Sequence, residues 1–315
     1  MTRIQDVYPD NRVSLREVGL RDGLQLVKKF PSTAGKQRWM RDEYGAGVRH
    51  FEVGSFLPAN TFPQFVDVRE IVKTIASLPG GHGIALTLNE RGVNEALASG
   101  VAEIATVVSA TEEHSQANAR RSREQAIANV KRLCDLRDAS PHRPIVNAAI
   151  SMALGCSITG AVDPKEVLML VEKCLEAGVD FVGIADTVGY AGPKQVGDLT
   201  RAVVKMSGNK PVCVHLHDTR GMGIANASTA LDAGARILDG SLGGLGGCPF
   251  APGATGNVVF EDLVFLCESK GFATGIDIEK LISVRGILRA EMPGETLYGG
   301  LARAGLPDRK TSVAA

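Results

Sequence analysis

Two histidines, His215 and His217, stand one residue apart at the end of the apolar run Val212-Cys213-Val214-His215-Leu216-His217-Asp218. In an extended strand alternate side chains share a face, so both imidazoles project together and can meet one ion without bending the backbone. A second segment with chemical potential, Arg21-Asp22-Gly23-Leu24-Gln25, follows a short β-rich run near the N-terminus. A third is the loop Gly243-Gly244-Leu245-Gly246-Gly247-Cys248-Pro249-Phe250, which leads to Gly256-Asn257. Two imidazoles with an acid, an amide and a thiol, all at strand ends, imply a metal-assisted active site. A closed structural zinc site would usually recruit cysteines. Here the further donors are oxygens, those of Asp22 and the Asn257 side chain, and mixed imidazole and oxygen ligation with open positions suits Mg²⁺ or Mn²⁺.

Each of these segments also has a plainer interpretation. Arg-Asp-Gly is a common turn composition, and only the place of Arg21 and Asp22 after a strand turns them toward function. There an arginine beside a metal can stabilise an enolate oxygen, and an aspartate can bridge metal and substrate. Glu52 ends another candidate strand and is either a solvated mouth residue or a group that supports proton transfer. Cys248 is either a small packed loop residue or an acid or nucleophile carried on a glycine-hinged loop. The glycines at 243–247 lack the Lys-Ser/Thr that follows a phosphate-binding loop, which favours a lid. Of the other five cysteines, four sit in packing contexts and Cys156 stays open; without close pairs, the six read as reduced thiols of a cytoplasmic protein.

The elements that must position these groups alternate along the chain. β-rich runs at 13–17, 48–53, 83–87, 103–108, 144–152, 180–185, 212–217 and 236–242 are separated by amphipathic stretches. Helices are expected, for example, over 32–46, 64–77, 122–139, 164–177, 193–206 and 223–233, the fourth with apolar residues near the helical period. Glycines after Ala177 and Ala233 provide left-handed C-caps. Eight strand–helix units predict an α/β fold, a (β/α)8 TIM barrel with extra C-terminal helices. The barrel is expected over 1–275, and a helical extension and tail over 276–315. A doubly wound sheet is disfavoured, because no early Gly-x-Gly-x-x-Gly turn appears. In a barrel the strand C-termini share one mouth, and Arg21, Asp22, Glu52, Asp186, His215, His217 and Cys248 all end or follow strands. Of the 315 residues, 35 are Lys or Arg and 35 Asp or Glu, so no basic field invites nucleic acid. No apolar run approaches the ~18–20 residues of a membrane span, and the N-terminus lacks the apolar core of a signal peptide.

With these residues in place the chain resembles the 3-hydroxy-3-methylglutaryl-CoA (HMG-CoA) lyases, within the aldolase-like metallolyases. The resemblance rests on Val18-Gly19-Leu20-Arg21-Asp22-Gly23-Leu24-Gln25, on His215-Leu216-His217-Asp218-Thr219-Arg220-Gly221 with Ala225-Asn226, and on the Cys248 loop through Gly256-Asn257. Ser55-Phe56, Ala153-Leu154-Gly155-Cys156 and Asp186-Thr187-Val188-Gly189 support it. It implies retro-Claisen cleavage of an acyl-CoA thioester to acetyl-CoA and a keto acid. It further implies a divalent metal on Asp22, His215, His217 and Asn257, with the base being Asp22 or a metal-side histidine. Arg21 would steady the enolate, Cys248 would return a proton, and Glu52 would orient Arg21. Substrate contacts are expected from Gln25, Lys28, Asn147, Asp186 and Thr187, and a homodimer is expected. The Arg-Asp and His-x-His pieces are shared with Claisen-type synthases, whereas the cysteine loop favours the lyase branch. Three departures stand out. Leu57-Pro58-Ala59-Asn60 replaces a segment with lysine and tryptophan, Leu26-Val27 replaces Asn-Glu, and Asn147 replaces an arginine that could grip a carboxylate bidentately. The resemblance implies an HMG-CoA-like substrate, with acetoacetate as the keto acid for HMG-CoA itself, and the departures add the alternative of a shifted acyl group, citramalyl-CoA or a 3-hydroxy-3-isohexenylglutaryl-CoA-like compound.

Overall fold

The computed structural model describes residues 3–247 and 256–307. Eight parallel strands, β1 (Ser14–Glu17), β2 (His50–Ser55), β3 (His82–Leu86), β4 (Glu103–Ser109), β5 (Ile145–Ser151), β6 (Phe181–Asp186), β7 (Val212–Leu216) and β8 (Ile237–Gly240), close into a barrel in chain order. The ring is completed by β1 pairing with β8, Ser14 opposite Ile237 through Glu17 opposite Gly240. The helices are α1 (Arg3–Val7), α2 (Thr33–Gly45), α3 (Val68–Ala76), α4 (Glu90–Ser99), α5 (Glu112–Ala119), α6 (Arg123–Ala139), α7 (Pro164–Glu176), α8 (Pro193–Ser207), α9 (Gly223–Asp232), α10 (Phe260–Ser269), α11 (Ile278–Glu291) and α12 (Gly300–Ala304). The expected α/β barrel with added C-terminal helices is what forms.

The strands are buried on both faces, which is why they read as apolar runs rather than as alternation. The helices supply the outer layer of the core: Trp39 and Met40 from α2, Ile71 and Ile75 from α3, Leu170 and Val171 from α7. Their starts are set by side-chain caps. Ser122 and Gln125 form a reciprocal capping box on α6, and Asp163 caps α7 ahead of Pro164. Gly178 and Gly234 follow the expected helices with φ of +100° and +101°.

At the N-terminal ends of the strands α1 closes the barrel. Ile4 and Val7 pack on a cluster of Tyr8, Ile145, Phe181, Cys213 and Ile237, forming a plug. After the barrel, α11 packs against α2, and the Asp277 N–H donates to Ala46 O at 2.7 Å.

The element boundaries differ from expectation where loop contacts outcompete local pattern. The helix expected over 64–77 is a 3₁₀ turn, Pro63–Phe65, followed by α3. The break falls where the Lys36 ammonium of α2 pairs with Asp67 at 2.7 Å. β2 begins two residues after Val48, because the Val48 N–H is still bound to Glu43 O of α2. β8 stops at Gly240, where the Ser241 N–H turns to Val258 O.

Candidate active site

The first strand–helix turn is built around one carbonyl. Val18 O accepts from the N–H groups of Arg21, Asp22 and Gly23 at 3.1, 2.8 and 3.2 Å, giving a single π-turn over Gly19–Gly23. Such turns recur at functional sites, because the wider coil redirects side chains. Glu17 braces it: its carboxylate accepts the Gly19 N–H, and also the Leu242 N–H from beyond β8. Arg21 and Asp22 are thereby delivered to the mouth. Arg21 Nη1 donates to Asp22 Oδ1 at 2.6 Å and to Gln25 Oε1 at 3.2 Å, and its Nε stands 2.8 Å from Glu52 Oε1. Glu52 lies just before an irregularity in β2. Its burial raises the carboxyl above its ordinary pKa despite the pull of Arg21.

Across the mouth, His215 and His217 converge as strand alternation requires, with their Nε2 atoms 3.1 Å apart. His217 Nε2 is 3.6 Å from Asp22 Oδ2. Asn257 joins them through an isolated bridge that pairs its backbone with His217. Asn257 Nδ2 donates to Asp22 Oδ2 at 2.8 Å and to Leu245 O at 3.1 Å. Gly246 makes this approach possible, since a Cβ there would stand 2.5 Å from Asn257 Nδ2 at a φ of +138°. The ligand atoms of Asp22, His215 and His217 all lie within 4.8 Å of one another.

A divalent cation fits this donor set. Asn257 Oδ1 is buried without a hydrogen-bond partner, an orphaned acceptor beside two imidazoles and a carboxylate. Burial works against charge at Asp22, but the Arg21 guanidinium and the neighbouring imidazoles hold its carboxyl well below the ordinary range, so it is an anionic ligand. Burial also opposes charge on His215. The hydrogen bond that its Nδ1 donates to Asp239 and the nearby carboxylates outweigh it and raise that imidazole.

The mouth opens into a cavity of about 220 Å³ lined by Arg21, Asp22, Gln25, Glu52, His215 and His217 together with Asn147 and Thr187. Asn147 Nδ2 donates to Glu103 Oε1 at 2.5 Å, and Thr187 Oγ1 accepts the Met152 N–H. Leu57, from the departing segment, lines the same cavity, as does Phe62. Asp186 is wholly buried and accepts the N–H groups of Tyr190 and Ala191, so it fixes the loop after β6 rather than lining the cavity. Lys28 is exposed and stands apart from the lining. Cys248 lies outside the described residues. Cys134, Cys174, Cys213 and Cys267 are buried, with thiols pushed up by burial. Cys156 is also buried, but hydrogen bonds led by Thr111 more than offset burial and lower its thiol.

Sequence reasoning missed three residues that matter here: Arg16, Glu103 and Asp239. Arg16 and Asp239 line the cavity, and Asp239 Oδ2 lies 3.0 Å from His215 Nδ1. Charged residues inside strands otherwise buried on both faces were the signal available.

The fold and the ligand cluster define a barrel with a candidate divalent-metal site at its C-terminal mouth. A family model described as HMGL-like matches residues 12–288, and the chain belongs to that family. It is 34% identical to the hydroxymethylglutaryl-CoA lyase of Bacillus subtilis, over 90% of this chain and 94% of that one. It is 36% identical to a 3-hydroxy-3-isohexenylglutaryl-CoA/hydroxymethylglutaryl-CoA lyase of Pseudomonas aeruginosa, over 86% and 90%. Among solved structures, an HMG-CoA lyase from A. baumannii in complex with coenzyme A and 3-methylmalate superposes with a TM-score of 0.87. That match has 32% identity and covers 100% of this chain and 99% of the other.

Proposed function

We propose that this protein is a divalent-metal-dependent carbon–carbon lyase. It cleaves an HMG-CoA-like thioester to acetyl-CoA and a keto acid, which is acetoacetate for HMG-CoA itself. The observation that carries this is the convergence of Asp22, His215 and His217 beside the Arg21 guanidinium in one cavity. Asp22, His215, His217 and Asn257 would hold Mg²⁺ or Mn²⁺. When bound, the ion supplies Lewis acidity that acidifies the substrate 3-hydroxyl and orients it.

The protein's residues divide the remaining work. Asp22 and the adjacent imidazoles are the bases at hand for the hydroxyl proton. As the C2–C3 bond breaks, C3 becomes a ketone and the bonding electrons pass to the thioester as an enolate. Arg21 is placed to stabilise that enolate oxygen, and the Glu52 carboxylate holds Arg21 Nε toward the cavity. Cys248 returns one proton to C2, which completes acetyl-CoA. Asn147 in the family arginine's place, with Leu57 and Phe62 in the lining, supports a second acyl group, citramalyl-CoA or a 3-hydroxy-3-isohexenylglutaryl-CoA-like thioester.

The test is incubation of Mn²⁺- or Mg²⁺-loaded protein with HMG-CoA and mass measurement of acetyl-CoA and acetoacetate. Metal-dependent release of both supports the reading, and the same screen extends to the two other thioesters. Folded, metal-loaded protein that cleaves none of them overturns it.

A further inference from the structure

Arg16 and Asp239 face each other across the β1–β8 ladder, in register. Arg16 Nε and Nη2 donate to the two oxygens of Asp239 at 2.7 and 2.9 Å. Arg16 Nη1 donates to Glu103 Oε1 at 3.2 Å. The other oxygen of Glu103 accepts the Tyr8 hydroxyl at 2.7 Å and lies 2.8 Å from His82 Nε2. At the far end, Asp239 Oδ2 meets His215 Nδ1. One chain of polar contacts therefore runs up the barrel interior, from the plug to a metal ligand.

Stability alone does not explain it. Barrel interiors are ordinarily filled with branched apolar side chains. A buried charged triad is often no better than well-packed apolar residues, and removal of one member is what does damage. The geometry, by contrast, specifies a task. Two donors of one planar guanidinium fix the plane of the Asp239 carboxylate. A carboxylate can only accept, so at Oδ2 it demands an N–H on His215 Nδ1. That leaves the Nε2 lone pair directed into the cluster, where His217 Nε2 lies. His217 Nδ1 is buried without such a partner, so of the two imidazoles His215 is the one whose Nδ1 a carboxylate fixes. The arginine that the family resemblance leads one to expect on β5 is Asn147. The guanidinium in this space comes from β1 instead, and both side chains reach Glu103 Oε1.

We propose that Asp239, clamped by Arg16 and backed by Glu103, is a positioning residue that sets the ring orientation and tautomer of His215 for metal binding. This rests on the metal site proposed above, and its test does not need turnover. The probe is Mn²⁺ alone, titrated by electron paramagnetic resonance into wild type, D239N and the double variant R16M/D239L. In D239N either amide orientation sets an NH₂ against an Arg16 donor and breaks the clamp. R16M/D239L removes one charge of each sign and keeps the volume filled, while Glu103 retains Tyr8, His82 and Asn147 as partners, so it is the variant expected to fold if D239N does not. Both are expected to bind Mn²⁺ roughly 10–100-fold more weakly, the usual cost of losing the carboxylate behind a metal-bound histidine. The ¹⁵N spectrum of the neutral, metal-free His215 ring should change from one Nδ1–H tautomer in wild type to a mixture in the double variant, which a merely structural role would not produce. Folded variants with wild-type Mn²⁺ affinity would overturn the proposal while leaving the metal site standing. Wild-type protein that binds no Mn²⁺ would overturn both.

Discussion

Replacement of Arg21 gives the sharpest test of how the site works, because two substitutions separate charge from shape. Arg21 serves three acceptors, Asp22 Oδ1, Gln25 Oε1 and Glu52 Oε1, at 2.6, 3.2 and 2.8 Å. Arg21→Met would leave Asp22 and Glu52 facing each other across a buried space without the cation between them. Breaking a buried pair in this way costs about 3–5 kcal/mol of stability. Loss of the group that meets the enolate oxygen should lower kcat by a further ~10²–10³, or about 2.7–4 kcal/mol of transition-state stabilisation. Arg21→Lys restores the charge but not the planar fork. A single ammonium cannot pair with Glu52, hold Asp22 and still face the cavity. Lysine is therefore expected to recover most of the lost stability while kcat stays depressed by roughly 10². Thermal unfolding, Mn²⁺ titration and acetyl-CoA release at saturating metal and substrate would be measured on all three proteins. If Arg21→Lys turned over at the wild-type rate, or if its whole defect disappeared at high Mn²⁺, the enolate assignment would be wrong and Arg21 would be a support for Asp22.

Cys248→Ser should bind Mn²⁺ normally but lose turnover by roughly 10²–10⁴, the range for a lost acid–base group; near-normal turnover reduces Cys248 to a loop residue. Gly246→Ala puts a methyl against Asn257 at a backbone angle that side chains rarely adopt. It should cost about 1–3 kcal/mol in strain, read from urea unfolding, and weaken Mn²⁺ binding; unchanged affinity would remove Asn257 from the ligand set. Glu43 is fully buried, and burial and the nearby Glu17 carboxyl outweigh the Trp39 indole beside it and raise its pKa well above the ordinary value. The native state therefore keeps a proton that the unfolded chain releases, so this group's contribution to stability is full below the ordinary carboxylate pKa and declines as pH rises. Glu43→Gln should flatten the decline of stability above the ordinary carboxylate range and stabilise the protein toward higher pH; urea midpoints that fall in parallel for the two proteins would show that Glu43 is not the group responsible.

The barrel was legible because its strands and helices are local patterns repeated eight times, and no strand was misplaced by more than a few residues. The His-x-His pair was legible for the same reason, since a period of two is a property of one strand. Arg21 and Asp22 were visible only as a turn, and what aims them is a π-turn on Val18 O braced by Glu17, which no local composition announces. Asp239 and Arg16 were invisible as partners because 223 residues separate them; only closure of the ring brings them side by side. Asp186 was read as a mouth residue from its position at the end of β6. Its carboxylate is instead taken up by two backbone N–H groups, a choice set by the loop that follows.

The meeting of β1 with β8 has a further consequence for how the molecule assembles. Asp22 hydrogen-bonds Asn257 across 235 residues of chain, so the cluster takes Asp22 from the turn after the first strand and its other three members from the last two strands and the loop that follows. A partly folded chain, however helical, with its ring still open would hold Asp22 apart from His217 and have no high-affinity place for the ion. Metal would then act as a clasp that recognises only the closed ring, and would stabilise it by mass action in proportion to the logarithm of its concentration over Kd. Mn²⁺ binding during refolding would thus report one event, the joining of the first strand to the last.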